Sequence, residues 1–247
     1  MDTERKKIVL TYYWTGEYDI WHKDIGVYEA DPSEFDTLYE SVKGRGYDFI
    51  TIANQLKPTK EDWQVVMDKE LEKPSNMTLY VHKFIACYKY LLKHPEYNEI
   101  WIVDSSDTEM LKTPEVRKGR VYAGYDMYSP IFKQFVPVKY LVGGNAEGVW
   151  VPGIFEMGHK YDYVADRTLR DLYADEIAWN CGVLGGDREV VMEFLEKLCA
   201  LLENTESDTE MPIFNYVMFL YFKGRCECIT TRMTLGERDM SKWWRHK

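Results

Sequence analysis

Two aspartates three residues apart, Asp104 and Asp107, follow the apolar run Glu99-Ile-Trp-Ile-Val103. A short continuous apolar run suits a central strand covered on both faces. An acidic pair at the end of such a strand sets hard oxygen donors at a sheet edge, where a sheet with crossover helices binds its ligands. Mg²⁺ or Mn²⁺ takes oxygen donors and completes its shell with one or two carboxylates plus substrate phosphates. Asp and Ser are also ordinary turn formers, so Asp104-Ser105-Ser106-Asp107 on its own reads equally as a solvated turn. Other residue types that could share such a site are Lys83 on an apolar helix, Asn180 and Gly182 in WNCGVLGG, and the acids Asp126, Asp175, Glu176 and Glu210. The histidines His22, His82, His94, His159 and His246 are scattered with no HExxH, and no Walker, GxGxxG or GxSxG motif occurs.

Those side chains need elements to hold them. Lys7 to Tyr13 is apolar, β-branched and aromatic, and reads as a first strand; Tyr47 to Ala53 reads as a second. Between them Pro32-Ser33 opens a helix with Ser33-x-x-Asp36 as a capping box, Phe35, Leu38 and Val42 as its apolar face, and Gly44 as its stop. Thr59-x-x-Asp62 predicts a further helix whose face is Trp63, Val66, Met67 and Leu71. From Leu79 to Lys93 the residues Val81, Phe84, Ile85, Tyr88, Leu91 and Leu92 recur at helical spacing, and Pro95 ends the run just before the Glu99–Val103 strand. Val121 to Tyr125 is another strand. Ser129 to Gly158, rich in Gly, Pro and aromatics, reads as strands and loops. WNCGVLGG (Trp179 to Gly186) is a strand leading into a helix capped by Asp187, and a last helix starts near Pro212. Alternation of this kind predicts an α/β fold: one domain with a mostly parallel central sheet and helices on both faces.

Composition narrows the classes. The 247 residues carry 41 Asp+Glu against 31 Lys+Arg, for a net charge of −10, with 45% hydrophobic and 15% aromatic residues. The chain is globular and its acidity argues against a bulk polyanion or anionic membrane as partner. No window approaches the roughly 18 apolar residues of a membrane span, and the apolar start lacks a signal cleavage site. Five cysteines, Cys87, Cys181, Cys199, Cys226 and Cys228, form no even framework. The expectation is a cytoplasmic protein with reduced thiols. The charge is uneven: from Arg232 on, five Lys/Arg against two acids give +3, leaving −13 for the body. A natural division is therefore 1–231 and a basic, Trp-containing tail, 232–247.

Several of these stretches, in order, resemble the nucleotide-sugar glycosyltransferases of the GT-A type, whose fold is Rossmann-like. WIVDSSDTEML (Trp101 to Leu111) is similar to the strand and DXD motif of that family in a D-x-x-D variant; WNCGVLGG resembles its later N-x-G stretch and lies nearer to retaining members; EMPIFNYVMF (Glu210 to Phe219) resembles its D-Q/M-x-x-x-N helix start. VHKFIACYKYLL resembles the helix before the DXD strand, where a basic residue matching Lys83 approaches the donor phosphates or the motif.

The resemblance implies a Mn²⁺ or Mg²⁺ ion on Asp107, with Asp104 touching the metal or the ribose, and His246 as the one late histidine able to supply a third ligand. It implies a nucleotide-sugar donor, a UDP-sugar above others, contacted by Thr11, Tyr12 and Tyr13 at the base, by Lys83 and Ser105 at the phosphates, and by Asn180 and Gly182 at the sugar. Asp126, Asp175, Glu176 and Glu210 become candidates for the acceptor proton, and Trp243 and Trp244 candidates for closing over the donor. The acceptor would be a hydroxyl on a glycan, a protein, a small molecule or a modified DNA base. The alternatives are a sugar-nucleotide nucleotidyltransferase, which usually needs a Gly-rich basic loop where this chain has YYWTGEYDIW, and a non-catalytic carbohydrate- or protein-binding module on the same fold.

Overall fold

The apolar strands predicted from the sequence lie side by side in one sheet. In a computed structural model, which describes residues 6–16, 30–126, 128–129, 134–135, 137–138, 163–204, 209–231 and 241–246, the first strand is β1 (Lys6–Tyr13), followed by β2 (Asp48–Ala53), β3 (Trp63–Val66) and β4 (Tyr97–Val103). After β4 come the short β5 (Thr108–Met110), then β6 (Val121–Tyr125), the two-residue β7 (Tyr128–Ser129) and β8 (Gln134–Phe135), β9 (Trp179–Asp187), β10 (Cys226–Thr231) and β11 (Trp244–His246). The helices are α1 (Asp36–Val42), α2 (Leu79–Lys93), α3 (Tyr163–Tyr173), α4 (Arg188–Leu202) and α5 (Met211–Tyr221).

Seven strands form the central sheet in the order β10-β6-β9-β4-β1-β2-β3. All its neighbours pair in parallel except β9, which runs antiparallel to both β4 and β6. This is a mixed α/β domain with a mostly parallel sheet. Alternation along β1 sorts its side chains: Ile8, Leu10 and Tyr12 join the core under α2, α4 and α5, while Val9 and Tyr13 join the core under α1. Both faces are thus covered, which is why β1 and β4 carry the continuous apolar runs Ile8–Leu10 and Ile100–Val103. Gly185 in β9 has its reason in packing, because a Cβ there would fall 2.2 Å from the Trp101 ring.

Two helix ends follow the expected chemistry and one does not: the Ser33-x-x-Asp36 box does not form, because Pro32–Phe35 is a 3-10 turn capped by Asp31, which accepts from Ser33 N–H at 2.8 Å, and α1 starts after it without a side-chain cap. Thr78 Oγ1 accepts from Val81 N at the start of α2, and Asp187 Oδ1 accepts from Val190 N at the start of α4, each cap contributing about 1 kcal/mol. Gly44, at φ 74°, follows α1.

A whole predicted element differs as well. Trp63 to Leu71 forms not a helix but β3 followed by a 3-10 turn at Lys69–Leu71. The helical spacing of Trp63, Val66, Met67 and Leu71 competes here with a partner: β3 pairs in parallel with β2, Trp63 is buried against Phe35 and Phe49, and its indole N–H donates to Thr51 Oγ1. Met67, assigned to the apolar face, is 61% exposed. Three elements lie outside the sequence expectations: the three-residue β5 and β11, and the amphipathic α3, whose 11 residues alternate apolar and charged at helical spacing. Most of 129–158 and of the tail, including Arg232, Glu237, Arg238, Asp239 and Lys247, lies outside the described residues. Among the described residues no helix is long and apolar enough to cross a membrane.

The carboxyl ends of β1, β4 and β6 and the amino end of the reversed β9 meet at one edge of the sheet. Asp104 follows β4, Asp126 follows β6, and Asp104 N–H donates to the carbonyl of Gly182 in β9.

Candidate metal and donor site

The turn after β4 is tied down at once: Thr108 Oγ1 donates to the Asp104 carbonyl at 2.5 Å. That closure turns the Asp107 carboxylate back toward Asp104. The residues that follow form β5, which pairs antiparallel with β11 so that Thr108 stands opposite His246. β11 is anchored by its tryptophans. Trp244 is fully buried against Trp101, and Trp243 packs on Trp101 and Tyr122. Arg245 Nη1 bonds Glu109 across the ribbon at 3.0 Å, and Leu111 N–H bonds the Trp243 carbonyl at 2.7 Å.

The result is a cluster of three donor groups. His246 Nε2 lies 3.2 Å from Asp107 Oδ2 and 3.6 Å from Asp104 Oδ2, and one donor atom from each residue falls within 4.8 Å of the others. His246 is 2% exposed, yet neither ring nitrogen makes a hydrogen bond; buried Asp107 Oδ1 makes none either. Buried polar atoms are nearly always paired, so a buried His246 Nε2 that faces two carboxylate oxygens without bonding either marks a place built for another atom. Gly182 leaves the room: a Cβ there would stand 2.2 Å from His246 Cε1 and 2.7 Å from Asp104 Oδ2. Two carboxylates and an imidazole fit a divalent cation of the Mn²⁺ or Mg²⁺ kind, with carboxylate oxygens favouring these over softer metals.

Lys83 adds the opposite charge. Its Nζ lies 2.6 Å from Asp104 Oδ1 and donates to the Cys181 carbonyl at 3.2 Å, and it sits 4.9 Å from the Phe84 ring centroid. Burial works against the ammonium, but the charges of Asp104 and Glu210 and the hydrogen bond to Asp104 outweigh it and hold the lysine above its ordinary pKa. Lys83 therefore stays charged.

β9 supplies the remaining wall through a bulge. Ala123 of β6 pairs with Leu184, but the next residue, Gly124, pairs with Asn180, so 181 to 183 are extra on the β9 side. Bulges of this kind re-aim groups beside sites. Here Asn180 Oδ1 accepts from Gly182 N–H at 2.7 Å and its Nδ2 donates to Asp126 Oδ1 at 3.3 Å. Cys181 points the other way, its Sγ–H donating to the buried Glu210 Oε1 at 2.7 Å; burial, then Glu210, push that thiol far up, so it is a neutral donor. Asn215, fully buried on α5, bonds both the N–H and the carbonyl of Trp179 and so pins the start of β9. Asn215 is the N of the D-Q/M-x-x-x-N resemblance, but its partner is not legible there, because the clamp joins one side chain to a distant backbone.

The other sequence candidates fall in different places. Ser105 lies in the Asp104–Asp107 turn, half-buried. Thr11 is fully buried with its hydroxyl unpaired. Tyr12 and Tyr13 are buried on opposite faces of β1, the first bonded to His82 Nδ1 at 2.9 Å and the second accepting from Asp31 N–H at 3.2 Å. Asn54 closes the turn beyond β1, accepting from Thr15 N–H and donating to its carbonyl. Asp175 and Glu176 are exposed, and Glu176 pairs with Lys223 at 3.0 Å. Trp243 and Trp244 hold the core beneath the cluster, and their indoles do not lie open over it.

Comparison with known proteins locates the fold. No family model matches the chain, and no curated protein matches it. Among solved structures, the chain is similar to WbbM, a bifunctional glycosyltransferase solved in its apo form, with a TM-score of 0.50 at 12% identity. The match covers 92% of this chain and 39% of that one. The chain thus shares its mixed α/β fold with part of that protein and spans well under half of that protein's length.

Proposed function

We propose that the chain is a metal-dependent glycosyltransferase of the GT-A type that moves a sugar from a nucleotide-diphosphate donor, a UDP-sugar, to an acceptor hydroxyl. The observation that carries this is the convergence of Asp104, Asp107 and the buried His246 on a space kept open by Gly182. The fold match to a glycosyltransferase supports the reaction class.

Asp104, Asp107 and His246 would hold the ion, with Mn²⁺ or Mg²⁺ as the candidates. Bound there, the metal would neutralise the diphosphate and stabilise it as a leaving group. Lys83 would donate to the same oxygens, a charge-assisted bond made stronger by its burial. Asn180, already oriented by Gly182 N–H and Asp126, would present its amide to sugar hydroxyls. Asp126 and Glu210 are the buried carboxylates nearest to this edge, and either would serve to orient or deprotonate an acceptor hydroxyl. Trp243 and Trp244 would act through His246, by fixing the strand that carries it.

The test is a donor-hydrolysis screen across UDP-, GDP- and CDP-sugars with Mn²⁺. The expected outcome is release of UDP that stops when the metal is chelated and returns when Mn²⁺ is restored. A well-folded protein that hydrolyses none of them, and binds neither Mn²⁺ nor UDP by calorimetry, would point to a binding module on this fold.

A further inference from the structure

The two oxygens of Asp104 face different partners. Oδ1 is 2.6 Å from the Lys83 ammonium, while Oδ2 is turned toward His246 and Asp107. A carboxylate shared in this way is a weaker metal ligand than a free one, because the ammonium neutralises part of the charge that a cation would feel. Lys83 cannot retreat to solvent as a surface lysine would. Its side chain is 9% exposed and its Nζ is also held by the Cys181 carbonyl, so its charge is poorly screened. Two carboxylates against one ammonium leave the cluster with one negative charge. A divalent cation, with His246 as a neutral ligand, reverses this to one positive charge, which attracts an anionic diphosphate where the empty cluster would repel it. An ammonium has three N–H donors, and only two of those on Lys83 have a hydrogen-bond acceptor among the described residues.

We propose that Lys83 makes metal and nucleoside diphosphate bind as a pair: its charge opposes the metal alone and favours the diphosphate once the metal is present. The proposal rests on the glycosyltransferase reading above. Its signature is an opposite sign. Removing the charge should strengthen one ligand and weaken the other, whereas a lysine that only held the site in shape would weaken both. The effect is reciprocal by linkage, so the diphosphate must also raise the affinity for the metal.

The experiment compares wild type, Lys83→Gln and Lys83→Arg. Mn²⁺ binding without nucleotide is read by electron paramagnetic resonance of the free ion, and UDP binding at saturating Mn²⁺ by calorimetry. Lys83→Gln keeps a donor for Asp104 but no charge; it should bind Mn²⁺ alone about tenfold more tightly and UDP about tenfold more weakly. Lys83→Arg keeps the charge but not the shape, so any change it causes should move both affinities in the same direction and not show the opposite signs of Lys83→Gln. Affinities that move in the same direction in Lys83→Gln, or do not move, overturn the proposal while leaving the glycosyltransferase reading intact. A wild-type protein that takes up neither Mn²⁺ nor UDP overturns that reading as well. If Lys83→Gln does not fold, the wild type decides: UDP must raise Mn²⁺ affinity beyond that of the Mn²⁺–UDP complex in solution, and an equal or lower value overturns the proposal.

Discussion

β4 carries a carboxylate at each end, and the two are handled in opposite ways. Glu99, near its start, is saturated: it accepts from the Tyr47 hydroxyl and from Trp101 Nε1 at 2.9 Å, and pairs with Lys7 at 3.2 Å. Burial, then the bond to Glu99, pushes Tyr47 far above the ordinary tyrosine pKa, so it stays a donor. Asp104, just past the other end, gives one oxygen to Lys83 and turns the second into a cluster where His246 and Asp107 keep buried atoms unbonded. An acidic residue whose bonds are all made inside the protein stabilises the fold. One that leaves convergent atoms unmade costs stability and is kept for a ligand. Strand position alone does not separate the two cases; the bonding does.

The largest effects should come from crossing the two ends. Asp107→Ala should weaken Mn²⁺ binding by at least about a hundredfold, since even residues one shell further out cost roughly 10- to 100-fold. Its thermal stability should hold or rise slightly, because one of two neighbouring carboxylates is gone. Glu99→Ala should do the reverse. It leaves Tyr47, Trp101 and Lys7 without their acceptor, at a cost of about 2–4 kcal/mol. Five residues of strand, about 16 Å, separate it from Asp104, so Mn²⁺ affinity should stay within about twofold. Urea unfolding and Mn²⁺ titration of both variants check the pair. An Asp107→Ala protein that binds Mn²⁺ normally, or a Glu99→Ala protein that does not, breaks the comparison.

Next in size is the room itself. Gly182→Ala would place a methyl 2.2 Å from His246 Cε1, and His246 cannot give way easily because Trp244 and the β5–β11 pairing fix its strand. The expected outcome is a folded protein whose Mn²⁺ affinity falls about tenfold or more, on the scale of disturbing a ligand's support. Unchanged affinity would mean that the metal does not lie against Gly182.

How much of this could be read from the chain alone depends on distance along it. The step from α2 through β4 to Asp104 was legible because each part is local: helical spacing over Leu79–Lys93, a proline stop, an apolar run and an acidic turn. Lys83 stands out only through the resemblance, which brings a basic residue there to the donor phosphates or the motif; on pattern alone it reads as a surface lysine, and the structure sets it on Asp104. Trp63 to Leu71 was misleading because its spacing fits a helix and only the neighbouring β2 makes it a strand. The tryptophans near the C-terminus suggested a lid, yet Trp101 and Tyr122 draw them into the core, and what they deliver is His246. The bulge in β9 has no sequence signal, and the D-Q/M-x-x-x-N resemblance marks Asn215 without showing its clamp on Trp179, since both depend on parts far apart in the chain.

The smallest effect concerns a third buried polar group near the same edge, one that is saturated like Glu99 yet titrates. His82 packs edge-on to Tyr12 and Trp14 and bonds the Tyr12 hydroxyl. Burial, with smaller contributions from Lys89 and Lys73, lowers its pKa to about 4. In the unfolded chain it returns to about 6.5. Between those values the unfolded state binds more protons than the folded one, so stability rises with pH and falls on acidification. The contribution of His82 is fully present above about pH 6.5 and lost below about pH 4, with a ceiling of about 3 kcal/mol over the window. Other groups titrate there as well, so the readout is a difference. His82→Gln keeps a partner for Tyr12 and cannot charge; from pH 7 to pH 5 it should lose about 2 kcal/mol less stability than wild type in urea unfolding. Equal losses in the two proteins would mean that His82 accepts its proton without leaving the Tyr12 contact, and that saturation at this end of the sheet tolerates charge in a way that the Glu99 end, closed by Tyr47 and Trp101, does not.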